Sequence, residues 1–135
     1  LVTKLWKMGF AVIRGPASGA KIRRSIYPDV VAIKDRKIFV FEVKVRSKPS
    51  SIYIDRNQLS KVIEFARRAS GEALLAIRIT SLKIWKAIPF NEINIDSATS
   101  NRIKISRDVI DRSEDLFSYI SRKISRSIEE YIDKN

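Results

Sequence analysis

Two carboxylates and a lysine form the one arrangement in this chain with the residue types a hydrolase needs: Pro28-Asp29, twelve residues, then Glu42-Val43-Lys44. The chain contains neither cysteine nor histidine. Zinc sites built on sulfur or imidazole, cysteine nucleophiles and triads with a histidine base are therefore excluded. Carboxylate, hydroxyl and lysine chemistry remain. Carboxylates are hard oxygen ligands that suit magnesium or manganese, and such ions activate water near neutral pH without a protein base of suitable pKa. The residue types point to metal-assisted hydrolysis.

Positioning these groups requires strands. Leu1, Val2, Leu5, Trp6 and Met8 fit one face of a helix that stops at Gly9, and Phe10 to Arg14 reads as a strand. Residues 15 to 27 read as a basic, glycine-containing loop holding Ser18, Lys21, Arg23 and Arg24. Val30 to Ile33 and Lys37 to Val45 read as strands joined by a turn around Lys34-Asp35-Arg36. Alternation along the second puts Ile38, Val40, Glu42 and Lys44 on one face and Phe39, Phe41, Val43 and Val45 on the other. Glu42 and Lys44 must then point the same way.

Ser47 to Ser51 is a polar loop, and Asp55-Arg56-Asn57-Gln58 resembles a capping box. It opens a helix with Leu59, Val62, Ile63, Ala66 and Ala69 at helical spacing and Gly71 just beyond its end. Ala73 to Ile79 and Leu82 to Ile88 are two further strands around Thr80-Ser81, with a weaker strand at Arg102 to Ile105. Ser113 reads as the cap of a last helix, with Glu114 and Asp115 in its first turn and Leu116, Phe117, Ile120, Ile124, Ile128 and Tyr131 as its apolar stripe. The expected architecture is a single α/β domain over residues 1 to 135, a central mixed sheet flanked by helices.

No apolar run approaches the roughly 20 residues of a membrane span, and no signal peptide is visible. The absence of cysteine gives no support to a disulfide-stapled secreted protein, so a cytoplasmic location is expected. Leu1 is not a methionine and lies within an amphipathic run, so the native chain is expected to begin a few residues earlier.

Net charge is +12 and its distribution is uneven. Residues 1 to 50 carry 12 Lys or Arg against Asp29, Asp35 and Glu42, a local net charge of +9, and the remainder supplies +3. Such a field attracts polyanions, and binding by phosphate neutralisation weakens steeply with salt. The bland alternative is a highly charged surface of the kind common in thermostable proteins. Clustering beside the motif favours nucleic acid.

In a chain that is 31% charged, an Asp followed later by Glu-x-Lys arises easily by accident. Context decides. Asp29 directly precedes Val30-Val31-Ala32-Ile33, and Glu42 follows Ile38-Phe39-Val40-Phe41, where a solvated charge is out of place. A carboxylate among such neighbours is costly unless paired or bound to a cation. A buried Glu42–Lys44 ion pair, or an edge strand with its polar face in solvent, would explain those two residues but does not require Asp29. Trp6 and Trp85 lie in apolar periodic runs and are expected in the core or a subunit interface, not as base-stacking platforms.

Pro28-Asp29 and Glu42-Val43-Lys44, with the sheet-rich region between, resemble the restriction-endonuclease-like nuclease superfamily. Two flanking segments narrow the likeness. Phe10 to Gly19, and Tyr53-Ile54-Asp55-Arg56-Asn57-Gln58 followed by Ile63-Glu64-Phe65-Ala66-Arg67, are similar to archaeal Holliday junction resolvases. The resemblance implies a magnesium-dependent homodimer, with manganese as a substitute, that recognises four-way DNA junctions and cuts two opposed strands. It implies Asp29, Glu42 and the Val43 backbone carbonyl as metal ligands, and Lys44 as the group that orients water or stabilises transition-state charge. By position, Ser18 matches a serine over the active site, Arg14 a DNA-contacting residue, and Tyr53 and Gln58 neighbours of the catalytic centre. Lys21, Arg23, Arg24, Arg46 and Lys48 are candidate phosphate contacts beside the motif, and three roles stay open for the last helix, Ser113 to Lys134: packing on its own subunit, covering a dimer seam, or offering its end to a sliding clamp or helicase. The family's first-helix glutamate would fall about three residues before Leu1. Alternatives are a related nuclease acting on flaps or damaged duplex, and a basic DNA-binding module in which the motif is a structural ion pair.

Overall fold

A computed structural model describes residues 1–16, 27–94 and 101–133, leaving out the side chains of residues 127–131 and 133. Among the described residues the chain runs α1 (Val2–Lys7), β1 (Ala11–Arg14), β2 (Val30–Lys34), β3 (Lys37–Arg46), β4 (Ile52–Asp55), α2 (Arg56–Ala69), β5 (Glu72–Ile79), β6 (Ile84–Pro89), β7 (Arg102–Ile105), α3 (Arg107–Arg112), β8 (Glu114–Asp115) and α4 (Leu116–Asp133). Six strands form one mixed sheet in the order β1-β2-β3-β5-β6-β8, and β4 and β7 form a separate two-stranded ribbon.

The β1-β2-β3 meander is antiparallel, with Val30 opposite Phe41 and Lys34 opposite Lys37. The β2–β3 turn is closed by Asp35 and Arg36, both at positive φ (51° and 67°), matching the hand that tight hairpins require. β3 and β5 are parallel, so the chain must cross over between them, and α2 supplies that crossover. Strand alternation then divides the core in two. Val40, Leu75, Ile77, Ile79 and Ile88 pack with Leu59, Val62 and Ala66 of α2, with Ile110 of α3, and with Ile52, Ile54, Ile103 and Ile105 of the ribbon. Phe39, Phe41, Leu74, Ala76 and Ala87 pack on the opposite face with Leu5 of α1 and Leu116, Tyr119, Ile120 and Ile124 of α4.

The expected mixed sheet and flanking helices are present, and several local readings change. The last helix is not capped by Ser113. Ser113 ends α3, a short helix whose own cap is the Ser106 hydroxyl accepting from the Val109 amide at 3.3 Å. Glu114 and Asp115 pair with Ala87 and Lys86 at the sheet edge, and α4 starts at Leu116, with the Asp115 carboxylate accepting from the Ser118 amide at 3.0 Å. The sixth strand begins at Ile84 because Thr80 to Lys83 form the turn, with Lys83 at φ 54°. Trp6 is 66% exposed, pointing away from the face that Leu5 buries, so the core expectation fails for it; Trp85 is half-buried against the α1/α4 core. Ile128 and Tyr131 lie outside the described side chains.

Candidate active site

The motif sits where two strands part. β2 and β3 pair up to Val30 and Phe41, and β3 then runs on to Arg46 without a β2 partner. Asp29 fills the gap. Its amide donates to the Phe41 carbonyl at 3.1 Å, and its carboxylate Oδ2 accepts from the Val43 amide at 2.7 Å. In an extended strand the N–H and C=O of one residue point to the same edge, so the Val43 carbonyl faces the Asp29 side as well. Gly15 closes the other flank: its amide donates to the Asp29 carbonyl at 2.9 Å, and a side chain there would run into the Pro28 carbonyl.

Alternation along β3 places Glu42 and Lys44 on the α2 face, as the sequence requires. Glu42 is the buried charged residue of the described chain, 6% exposed. Its carboxylate lies 3.6 Å from the Lys44 ammonium, which also donates to Oε1 of Gln58 at 3.3 Å. Gln58 is in the first turn of α2, where the Asp55 carboxylate caps the helix by accepting from the Asn57 amide at 2.7 Å. Only the Asp55 half of the expected capping box forms, and Gln58 turns to Lys44 instead of back to the cap. A single Asp-x-x-Gln spacing thus starts the crossover helix and holds the lysine.

Burial pushes the Glu42 carboxyl up from its ordinary 4.5 to about 7, and the nearby Asp29 charge adds to the rise. Lys44 opposes both and does not overcome them. Burial and the second carboxylate thus outweigh the pairing of Glu42 with Lys44. Two hard oxygen groups with a backbone carbonyl beside them, in a site short of positive charge, fit a small divalent cation. Asp29, Glu42 and the Val43 carbonyl are the groups that would hold it. Among the described residues no group of three or more Asp and Glu side chains gathers, so these two carboxylates are the acidic ligands the described chain offers.

Arg14, at the end of β1, is exposed and lines an open cleft of about 580 Å³ with Asp29, Val43, Gly15, Trp85 and the first residues of α1. Arg46 ends β3 and turns its guanidinium back to the Val45 carbonyl at 2.8 Å, while Lys48 is exposed in the following loop. Tyr53 is half exposed on β4, and the guanidinium of Arg102 lies 5.7 Å from its ring centre, a neighbour that sequence reading did not supply. Ser18, Lys21, Arg23 and Arg24 lie outside the described residues. The structure therefore brings together Asp29, Glu42, Val43, Lys44 and Gln58, sets Arg14 on the cleft beside Asp29, and places Arg46, Lys48 and Tyr53 on the flanking surface. No described helix is long and apolar enough to cross a membrane.

A family model described as archaeal Holliday junction resolvase (Hjc) matches residues 1–129. Proteins named crossover junction endodeoxyribonuclease Hjc from Sulfurisphaera tokodaii and Sulfolobus acidocaldarius are each 34% identical, aligned over 98% of this chain and 90% and 91% of theirs. The protein of that name from Archaeoglobus fulgidus is 32% identical over 81% of this chain and 75% of its own. The solved structure of Archaeoglobus fulgidus Hjc, described as a Holliday junction resolvase from an archaeal hyperthermophile, superposes with a TM-score of 0.70 at 26% identity, covering 88% of this chain and 96% of that one. With the family model spanning nearly its whole length, this chain belongs to the archaeal Holliday junction resolvase family.

Proposed function

We propose that this chain is a structure-selective endodeoxyribonuclease that resolves four-way DNA junctions by paired, Mg²⁺-dependent phosphodiester hydrolysis in recombination and repair. The observation that carries the reading is the meeting of Asp29, Glu42 and Lys44 at the parting of β2 and β3, with the buried Glu42 carboxylate 3.6 Å from the Lys44 ammonium. The names of the relatives supply the reaction and the junction, and the basic surface supplies affinity for phosphates.

Each side chain has a part. Asp29 and Glu42, with the Val43 carbonyl, would hold the cation, and one oxygen of Asp29 is fixed in place by the Val43 amide. Bound there, Mg²⁺ would neutralise phosphate charge and acidify water. Lys44, steadied by Gln58, presents its ammonium to the attacking water or to the charge that grows on phosphorus-bound oxygen in the transition state. Arg14 reaches the phosphate backbone from the cleft beside Asp29.

A homodimer fits this reading, since isologous pairing presents one site to each of two opposed strands of a near-symmetric junction. Recognition then rests on shape and phosphates, with deformability at the crossover biasing where cuts fall. Mn²⁺ is expected to substitute for Mg²⁺, and since α4 packs on its own subunit through Leu116, Tyr119, Ile120 and Ile124, a clamp or helicase would be met by the end of that helix and not by its apolar stripe. Glu42→Gln tests the site: it abolishes cleavage of a synthetic four-way junction while leaving junction binding within about threefold. Unchanged cleavage by Glu42→Gln would leave the motif a structural ion pair.

A further inference from the structure

We infer that the outward face of the β4–β7 ribbon, Tyr53 with Arg102 and Lys104, is a second phosphate-binding surface that continues the catalytic site onto a duplex arm. The inference rests on the junction-nuclease reading and adds to it a surface drawn from residues 101–105, far along the chain from the basic excess in its first 50 residues.

The ribbon is amphipathic in the strict sense of its pleat. Ile52, Ile54, Ile103 and Ile105 face inward and are each under 5% exposed, which fixes the register and turns Tyr53, Asp55, Arg102 and Lys104 outward. Tyr53 stands opposite Lys104, and Asp55 opposite Arg102. The acidic member of this face is turned to the helix, its carboxylate capping α2 through the Asn57 amide. Arg102 and Lys104 still outnumber Asp55 on this face, and with the phenol ring they give it the sign and chemistry that attract a phosphate backbone.

Spacing and rigidity match a polyanion. Side chains two apart on one strand stand about 6.7 Å from each other, comparable to successive phosphates along a nucleic-acid strand. The Arg102 guanidinium sits over the Tyr53 ring at 5.7 Å, which limits its rotamers before binding. The ribbon is anchored to the site: the Arg56 amide donates to the Asn101 carbonyl at 2.7 Å, and three residues after the Asp55 cap Gln58 holds Lys44. A duplex laid along this face would reach the first turn of α2 and the lysine it steadies. Contacts of this kind orient an arm without reading its bases.

The test is Arg102→Ala/Lys104→Ala in the full chain, compared with Arg67→Ala/Arg68→Ala. The latter removes two cations from the opposite end of α2, about 20 Å away by helix length. Affinity for a fluorescent four-way junction is measured without divalent metal across a salt series. Every phosphate that is no longer neutralised should lower the log–log salt slope by about 0.9, so the ribbon variant is expected to fall by about 2 and the control by less than 0.5. The charge-conserving Arg102→Lys/Lys104→Arg should retain the slope. If the double alanine variant melts early, Lys104→Gln carries the same test with a fall of about 1. An unchanged slope, or an equal fall in the control, overturns the ribbon surface. A wild-type chain that binds linear duplex as tightly as the junction overturns the junction reading instead.

Discussion

The carboxylate of Asp29 accepts a hydrogen bond from the Val43 amide at 2.7 Å, taking the place of the strand partner that β2 no longer supplies at that point of β3. One oxygen of the side chain is thereby committed to the fold and orients the group toward the carbonyl edge of β3. Asparagine can keep that acceptor and loses the charge. Asp29→Asn should therefore melt within about 2 °C of the parent and lose at least about a hundredfold of Mg²⁺-dependent cleavage, whereas Asp29→Ala should also cost about 1 kcal/mol for the exposed bond. Thermal melts and single-turnover cleavage check both halves.

The state of Glu42 predicts how metal-free stability changes with pH. Its folded pKa, about 7, lies above the ordinary 4.5, so folding favours the protonated carboxyl. The stability this group contributes is fully present below 4.5 and is lost as pH rises through 7. Glu42→Gln, which mimics the neutral form, should stabilise the metal-free protein by ~1–2 kcal/mol at pH 8. The gain should vanish near pH 4. Denaturant titrations of both proteins in EDTA measure it.

Cation binding needs the Glu42 carboxylate, so protons compete with it. Apparent Mn²⁺ or Mg²⁺ affinity should rise with pH up to about 7 and level off above, with about one proton released per cation at pH 6. Calorimetry in two buffers of different ionisation enthalpy counts that proton. Lys44→Met removes the group that lowers the Glu42 pKa, and should shift the affinity profile to higher pH as well as depress the cleavage rate. Gln58→Ala should act more mildly, lowering the rate about tenfold without moving the profile by more than a few tenths of a unit.

The C-terminus of α2 offers a stability test remote from the chemistry. Ser70 holds the left-handed conformation at φ 53°, which costs a non-glycine residue, and Gly71 beside it is needed because a Cβ would stand 2.9 Å from the Ile38 carbonyl. Ser70→Gly should stabilise by ~0.5–1 kcal/mol. Gly71→Ala should destabilise by ~1–3 kcal/mol through the displaced Ile38 backbone. Cleavage by folded protein should be unaffected in both.

Much of this was readable from the residues because long elements carry their own period. The alternation from Lys37 to Val45 puts Glu42 and Lys44 on one face, and the spacing from Leu59 to Ala69 marks a helix by its own period, although its crossover role follows only from the parallel pairing of β3 and β5. What escaped was short or set by distant chain. Ile52 to Asp55 is a strand only because Arg102 to Ile105 returns to pair with it. Glu114 and Asp115, which carry the charge pattern of a first helical turn, are drawn into the sheet by Lys86 and Ala87. The Asp29–Val43 bond depends on two strands diverging at one residue, and no local pattern announces it. Trp6 sits one position from buried Leu5 in a short helix, where a turn of about 100° separates core from solvent.

The central claim is tested most directly by incubating the full chain and Mg²⁺ with a synthetic four-way junction, a flap and a linear duplex, and resolving the products on a denaturing gel. Paired, symmetric nicks in opposed strands, confined to the junction and absent with EDTA, are the predicted result. Equal cutting of all three substrates, or none of any, would contradict it.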